Sequence, residues 1–173
     1  MPPVVRIRSA ARTELEALRG IERAAGEQFR ALGMAEIAED EPLPVEELAE
    51  FQAAGRAWTA VGADGSPVGY LLVKRVGANA HVEQVSVHPS FARQGIGRRL
   101  LGTAADWGRG QGLGNLTLTT FREVPWNAPY YRRLGFREVP ADALEPGLKQ
   151  VVAQEAAAGL ARWPRVVLSR PLA

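Results

Sequence analysis

The sequence predicts an α/β fold in which helices flank a mixed, mostly antiparallel sheet, and three stretches carry that expectation. Ala57 to Val61 and Val68 to Lys74, joined across Ala63-Asp64-Gly65-Ser66, read as a β-hairpin with Asp-Gly in its turn. Val85-Ser86-Val87-His88-Pro89 leads through a glycine-bearing loop into a helix, where Ile96, Leu100, Ala104 and Trp107 recur at helical spacing. Leu116, Leu118 and Thr120 then alternate with Thr117 and Thr119 as a strand. Strand, helix and strand in that order imply a parallel pair with a right-handed crossover.

The remaining elements follow in chain order. Val4 to Ile7 is a short strand. Thr13 with Glu16 three residues on makes a capping box, and Leu15, Leu18, Ile21 and Ala25 give the helix behind it one apolar face. The pattern breaks at Gly33-Met34, and an acidic run from Glu36 to Glu41 ends at Pro42 and Pro44. A second helix, from Pro44 or Val45 to near Gly55, buries Val45, Leu48 and Phe51. After the hairpin, Gly77 to Asn79 turns the chain into a third strand, Ala80 to His88. There Val82 has the opposite parity from Val85 and Val87, which either a β-bulge near Glu83 and Gln84 or burial on both faces explains. Pro125 to Pro129 opens a short helix through Leu134, where proline suits a first turn, and a strand follows near Val139. Asp142 and Glu145 suggest a second capping box for a helix carrying Leu148, Val151 and Val152. Arg165 to Ser169 is the last strand.

The 173 residues are 46% hydrophobic and 23% charged, as expected of one globular domain over residues 1–173 with a real core. The net charge of +2 favours anionic ligands weakly, and no dense basic block with interleaved aromatics points to nucleic acid. With no cysteine and 2 histidines, a disulfide, a thiol nucleophile and a cysteine- or histidine-based metal site are not expected. The start of the chain lacks a signal-peptide core, and no apolar run is long enough to cross a membrane. A cytoplasmic protein is expected by elimination.

The stretch Ala92-Arg93-Gln94-Gly95-Ile96-Gly97-Arg98-Arg99 reads as an anion site, because glycines let backbone N–H groups point outward at a helix N-terminus. Arg93, Arg98 and Arg99 add positive charge. A dinucleotide fingerprint would need a third glycine where Leu100 stands, and a P-loop would need Lys-Ser/Thr after Gly97, so the stretch is neither. The ordinary alternative is a strand-to-helix connection with surface arginines.

These residues resemble the acyl-CoA-binding motif of the GNAT N-acyltransferase superfamily, whose signature is Arg/Gln-x-x-Gly-x-Gly/Ala. Gly95 and Gly97 match it, while its first position falls on Ala92 and the arginine is displaced to Arg93. Tyr131-Arg132-Arg133-Leu134-Gly135-Phe136 resembles the family's second signature, Tyr-x-x-x-Gly-Phe, and Asn127 stands where members carry a CoA-contacting asparagine. The resemblance covers roughly residues 57 to 140. It implies a GNAT-like sheet whose parallel strands splay like a V, with acetyl-CoA as cosubstrate and an N-acetyl transfer to an amine of a small molecule or peptide, of which a small amine is the expected acceptor. Pyrophosphate would sit on the amides of Arg93, Gln94, Gly95, Ile96, Gly97 and Arg98. The pantetheine arm would pair with the backbone around Val85, Ser86 and Val87 as an added strand does.

Acyl transfer from a thioester to an amine requires a neutral amine, a stabilised oxyanion and a protonated leaving thiolate. Without cysteine the route is direct attack in a ternary complex. Glu83 is the candidate base, on the strand that would hold the thioester, and His81 is second, at the strand's frayed start. An ordinary strand glutamate paired with an arginine explains Glu83 equally well. Tyr131 is the candidate proton donor to the thiolate, as the family uses this position, against a plain core tyrosine. Asn127 binds CoA, caps its helix, or does both. His88, Trp107, Tyr130 and Trp163 read as turn or core residues. Glu27, Phe29 and the acidic run are the chemistry available for the acceptor. No metal, nucleic acid or membrane partner is expected, and the working unit is a monomer or homodimer. The alternative function is a non-catalytic acyl-CoA-binding module, which need not keep Tyr131.

Overall fold

The computed structural model describes residues 5–172, so Val4 of the expected first strand lies outside the described residues. Seven strands form one sheet in the order β1-β2-β3-β4-β5-β7-β6. They are β1 (Arg6–Ser9), β2 (Ala57–Val61), β3 (Pro67–Val76), β4 (Asn79–Val87), β5 (Asn115–Phe121), β6 (Arg137–Val139) and β7 (Arg165–Pro171). The helices are α1 (Leu15–Gly26), α2 (Ala35–Ala38), α3 (Val45–Ala53), α4 (Ile96–Gly110), α5 (Ala128–Arg133) and α6 (Pro146–Ala157). The chain divides into two compact units, residues 1–73 with 83–103 and residues 74–82 with 104–173.

In the first unit β1 and β2 pair antiparallel, as do β2 and β3. The hairpin turn forms as its sequence requires, with Asp64 Oδ1 accepting from the Ser66 N–H at 3.0 Å. Leu15, Leu18 and Ile21 of α1 pack with Leu48 of α3 and with Tyr70 and Leu72 of β3, so the apolar stripe read from the sequence is the core face. Val45 and Phe51 pack partly buried against the same core.

The start of α1 differs from expectation. A 3₁₀ turn at Arg12–Glu14 precedes the helix, and Glu14, not Glu16, reaches back to the Ala11 N–H at 2.8 Å. Arg8 holds the Glu14 carboxylate at 2.7 Å, which selects Glu14 for this role; Glu16 sits on the exposed side beside Arg19. Beyond α1 the chain runs through a 3₁₀ stretch (Glu27–Leu32), turns at the left-handed Gly33 and makes the single turn α2, which no apolar period in residues 33–41 foretells.

In the second unit β4 and β5 form the parallel ladder, pairing Asn79 with Asn115, Ala80 with Leu116 and His81 with Thr117. β4 continues to Val87 and β5 to Phe121. β7 pairs antiparallel with both β5 and β6. Leu148 and Val151 of α6 pack on Val76 and Val167, giving segment 141–163 its own small core. The expected Asp142/Glu145 box does not form. Glu145 is the N-cap residue of α6, but its side chain makes no cap bond and instead accepts from Asn79 Nδ2 at 3.3 Å. Val152 faces out, 37% exposed.

Candidate active site

β4 carries the first part of the candidate site. Its residues from Asn79 to Val82 are all buried, so the parity of Val82 reflects burial on both faces of that half. Glu83, Gln84 and Val85 are half-buried, Ser86 is buried, and Val87 is half-buried. The His88 N–H donates to the Val68 carbonyl of β3 at 2.8 Å. Backbone groups alternate sides along a strand, so Val87 and Val85 turn theirs away from β3. The Val85 N–H is met by the Gln84 side-chain oxygen at 3.1 Å.

The loop after β4 is held from both ends. His88 Nδ1 accepts from the Ser90 N–H at 3.1 Å, capping a 3₁₀ turn at Pro89–Phe91, which fulfils its expected role as a turn residue. At the other end Ile96 and Leu100 are buried. They seat on β3 at Gly69, where an added Cβ would lie 3.4 Å from Leu100 and 3.5 Å from Ile96. Between these anchors, Arg93 has φ 63° and Gly95 φ 75°. Arg93 is the one non-glycine with positive φ among the described residues. An L residue there costs about 1–2 kcal/mol, and such strain concentrates at ligand sites. Alternation of left-handed residues turns successive N–H groups toward one concave side. The N–H groups of the first turn of α4 follow directly, with no helical carbonyl to bond.

Arg93, Gln94, Gly95 and Arg98 are exposed and Gly97 is half-buried. An added Cβ on Gly95 meets nothing within 4 Å, so space for a phosphate lies over this backbone. Arg99 has a different duty, donating to the Val5 carbonyl at 2.7 Å. The fit to an anion is therefore carried by backbone geometry together with Arg93 and Arg98.

The second unit holds Asn127, Tyr131 and His81. Tyr131 sits on α5, 9% exposed, edge-on to Phe136 (5.9 Å between centroids) and to Tyr130 (5.3 Å). Burial, with Tyr130 adding to it, pushes its phenol well above the ordinary value, so it remains a neutral donor. Asn127 occupies the N-cap position of α5 but makes no side-chain cap bond, and its Oδ1 is buried without a partner. A buried acceptor of this kind is costly unless a ligand supplies the donor. The capping role expected for the Asn127 side chain is therefore not the one it has here.

The expected position of His81 is corrected. The residue lies inside the parallel ladder, not at a frayed start, is 1% exposed, and its Nδ1 is hydrogen-bonded to Thr117 Oγ1 at 2.9 Å. Tyr130 and Trp163 are half-buried rather than core, and Trp163 meets Phe121 edge-on at 6.5 Å.

The acidic groups expected to attract an acceptor are largely engaged in the first unit. Glu27 and Glu39 both pair with Arg30, at 3.2 and 3.1 Å. Glu41 pairs with Arg23 at 2.8 Å and Arg19 at 3.4 Å. Sequence reasoning missed Glu22, whose half-buried carboxylate accepts from the Tyr70 hydroxyl. Tyr70 is 1% exposed, and burial with the Glu22 charge raises its pKa far above the ordinary value.

Residues 18–136 match the sequence model of the acetyltransferase (GNAT) family. The chain belongs to the GNAT family. A streptothricin acetyltransferase from Streptomyces lavendulae is 40% identical to this GNAT protein over 86 residues, which are 47% of this chain and 44% of that relative. The match thus spans less than half the length of that curated relative. The PaiA N-acetyltransferase of Thermoplasma acidophilum, solved with coenzyme A, superposes with TM-score 0.71 at 17% identity, over 97% of this chain and 99% of that one. A nourseothricin acetyltransferase superposes with TM-score 0.53 at 29% identity, over 68% of this chain and 65% of that one. The GNAT fold accounts for the mixed seven-stranded sheet with one parallel pair. Among the described residues no group of acidic or histidine side chains could hold a metal ion, and no helix is long and apolar enough to cross a membrane.

Proposed function

We propose that the protein is an N-acetyltransferase that moves the acetyl group of acetyl-CoA to a primary amine by direct attack in a ternary complex. The observation that carries this is the loop 93–98, where left-handed Arg93 and Gly95 lead into the unbonded N–H groups of α4. The diphosphate of acetyl-CoA binds there, on the amides of Arg93, Gln94, Gly95, Ile96, Gly97 and Arg98. Its arm runs back along β4 and pairs with the outward backbone groups of Val87 and Val85 beside Ser86. Asn127, whose buried Oδ1 lacks a donor, is the further residue proposed to bind the cofactor.

Each side chain then has a role. Glu83 takes the amine proton, directly or through water. Tyr131, kept neutral by burial, donates to the departing thiolate. The names of the streptothricin and nourseothricin acetyltransferases put both compounds in the acceptor panel, beside simple diamines and peptide N-termini. A cytoplasmic location, where acetyl-CoA is available, and a monomer or homodimer over residues 1–173 complete the proposal.

The test is release of free thiol from acetyl-CoA across that panel, with mass spectrometry of the acceptor. An acceptor gaining one acetyl group on nitrogen is the expected result. Tight acetyl-CoA binding with no release across the panel would instead favour the non-catalytic binding module.

A further inference from the structure

A backbone N–H on an interior strand costs about 1–3 kcal/mol if it is left without an acceptor. Val85 avoids that cost through its neighbour, since the Gln84 side-chain oxygen accepts from it at 3.1 Å. Gln84 is not loosely placed. Its amide lies beside the buried Tyr70 hydroxyl, and Tyr70 in turn donates to Glu22 on α1. Helix, β3 and β4 thereby hold one amide against one N–H, all within the first unit.

This N–H is the one a thioester needs. It faces away from β3, as the alternation from His88 requires. A ligand anchored at 93–98 and running back along β4 passes Val87 before Val85, so its acyl end lies at Val85. We propose that Gln84 is a positioning residue that caps the Val85 N–H in the resting protein and yields it to the acyl oxygen of acetyl-CoA. The inference rests on the acetyl-CoA reading above and deepens it: the oxyanion donor is guarded, and only a ligand with an acyl oxygen displaces the guard. Coenzyme A, which has a thiol in place of the thioester carbonyl, offers no such acceptor.

The experiment compares calorimetric binding of acetyl-CoA and of CoA to the full chain. Gln84→Met keeps the length of the side chain and removes the amide oxygen, so acetyl-CoA is expected to bind about two- to tenfold tighter, the range of one net hydrogen bond, with CoA unchanged. Gln84→Glu supplies a stronger, charged acceptor and is expected to weaken acetyl-CoA relative to CoA. Tyr70→Phe, which frees the Gln84 amide at one end, should shift the ratio in the same sense as Gln84→Met but by less. Thermal melts confirm that each variant is folded. If both ligands shift alike, or if folded Gln84→Met leaves acetyl-CoA affinity unchanged or lower, the guard does not exist. Wild-type protein that binds acetyl-CoA separates that failure from failure of the function itself; wild-type protein that binds neither ligand overturns both.

Discussion

Gly69 of β3 and Ser86 of β4 approach so closely that a Cβ on Gly69 would stand 3.0 Å from the Ser86 carbonyl oxygen. The obstacle is backbone, which cannot swing aside as a side chain can. Ile96 and Leu100 close the same space from α4. Gly69→Ala is therefore expected to lower stability by about 1–3 kcal/mol, the usual cost of overpacking, as read from denaturant midpoints. Because α4 begins at Ile96, the same change should also weaken acetyl-CoA binding in calorimetry.

Gly95 and Arg93 separate backbone from side-chain contributions to the anion site. Gly95→Val places a β-branched residue at φ 75° and fills the space over the amides. Acetyl-CoA affinity should fall by at least tenfold. Arg93→Ala removes one exposed charge and leaves the backbone conformation in place, so the loss should be severalfold at most, shrinking as salt is added. Equal losses from the two variants would place the diphosphate elsewhere.

Tyr131→Phe keeps the edge contacts with Phe136 and Tyr130 and removes only the hydroxyl. General acid assistance is worth about 10²–10⁴-fold, and since a thiolate is already a fair leaving group the low end is expected. The loss should fall on kcat with acetyl-CoA affinity unchanged. Unchanged kcat under conditions where chemistry limits the rate would return Tyr131 to a packing role.

Glu14 supplies a pH signature in stability. The Arg8 hydrogen bond, supported by the Ala11 N–H, holds its carboxyl below the ordinary value. A lowered folded-state pKa gives stability that is present above the unfolded pKa and lost as pH falls through the folded one. Wild type should lose this contribution as acid is added below about pH 4.5. Glu14→Gln should lack it at neutral pH, by about 1 kcal/mol for a charge-assisted pair, and the two should converge in acid. A constant gap down to pH 2 would contradict this.

Features that depend on neighbouring residues were legible in the sequence. The hairpin at Asp64-Gly65, the apolar faces of α1 and α4, and the glycine loop are all set by spacing and turn chemistry. Features set by distant partners were not. Nothing local says that Glu14 will be drawn to Arg8, that Glu145 will leave its cap for Asn79, or that His81 will be shut in by Thr117. The site divided the same way. Gly95 and Gly97 announce a backbone that can turn, whereas strain at Arg93 and the orphaned Asn127 oxygen appear only once the chain is folded. Nothing in the sequence singles out Gln84, because a glutamine on a strand carries no period and no charge.

The outermost strands bear on how this protein behaves at high concentration. β1 and β6 terminate the sheet, span only Arg6–Ser9 and Arg137–Val139, and carry Arg6 and Arg8 on one edge and Arg137 and Glu138 on the other. Short, charged edges are poor templates for another chain's strand. Open-ended, fibre-like association through the sheet margins is thus discouraged.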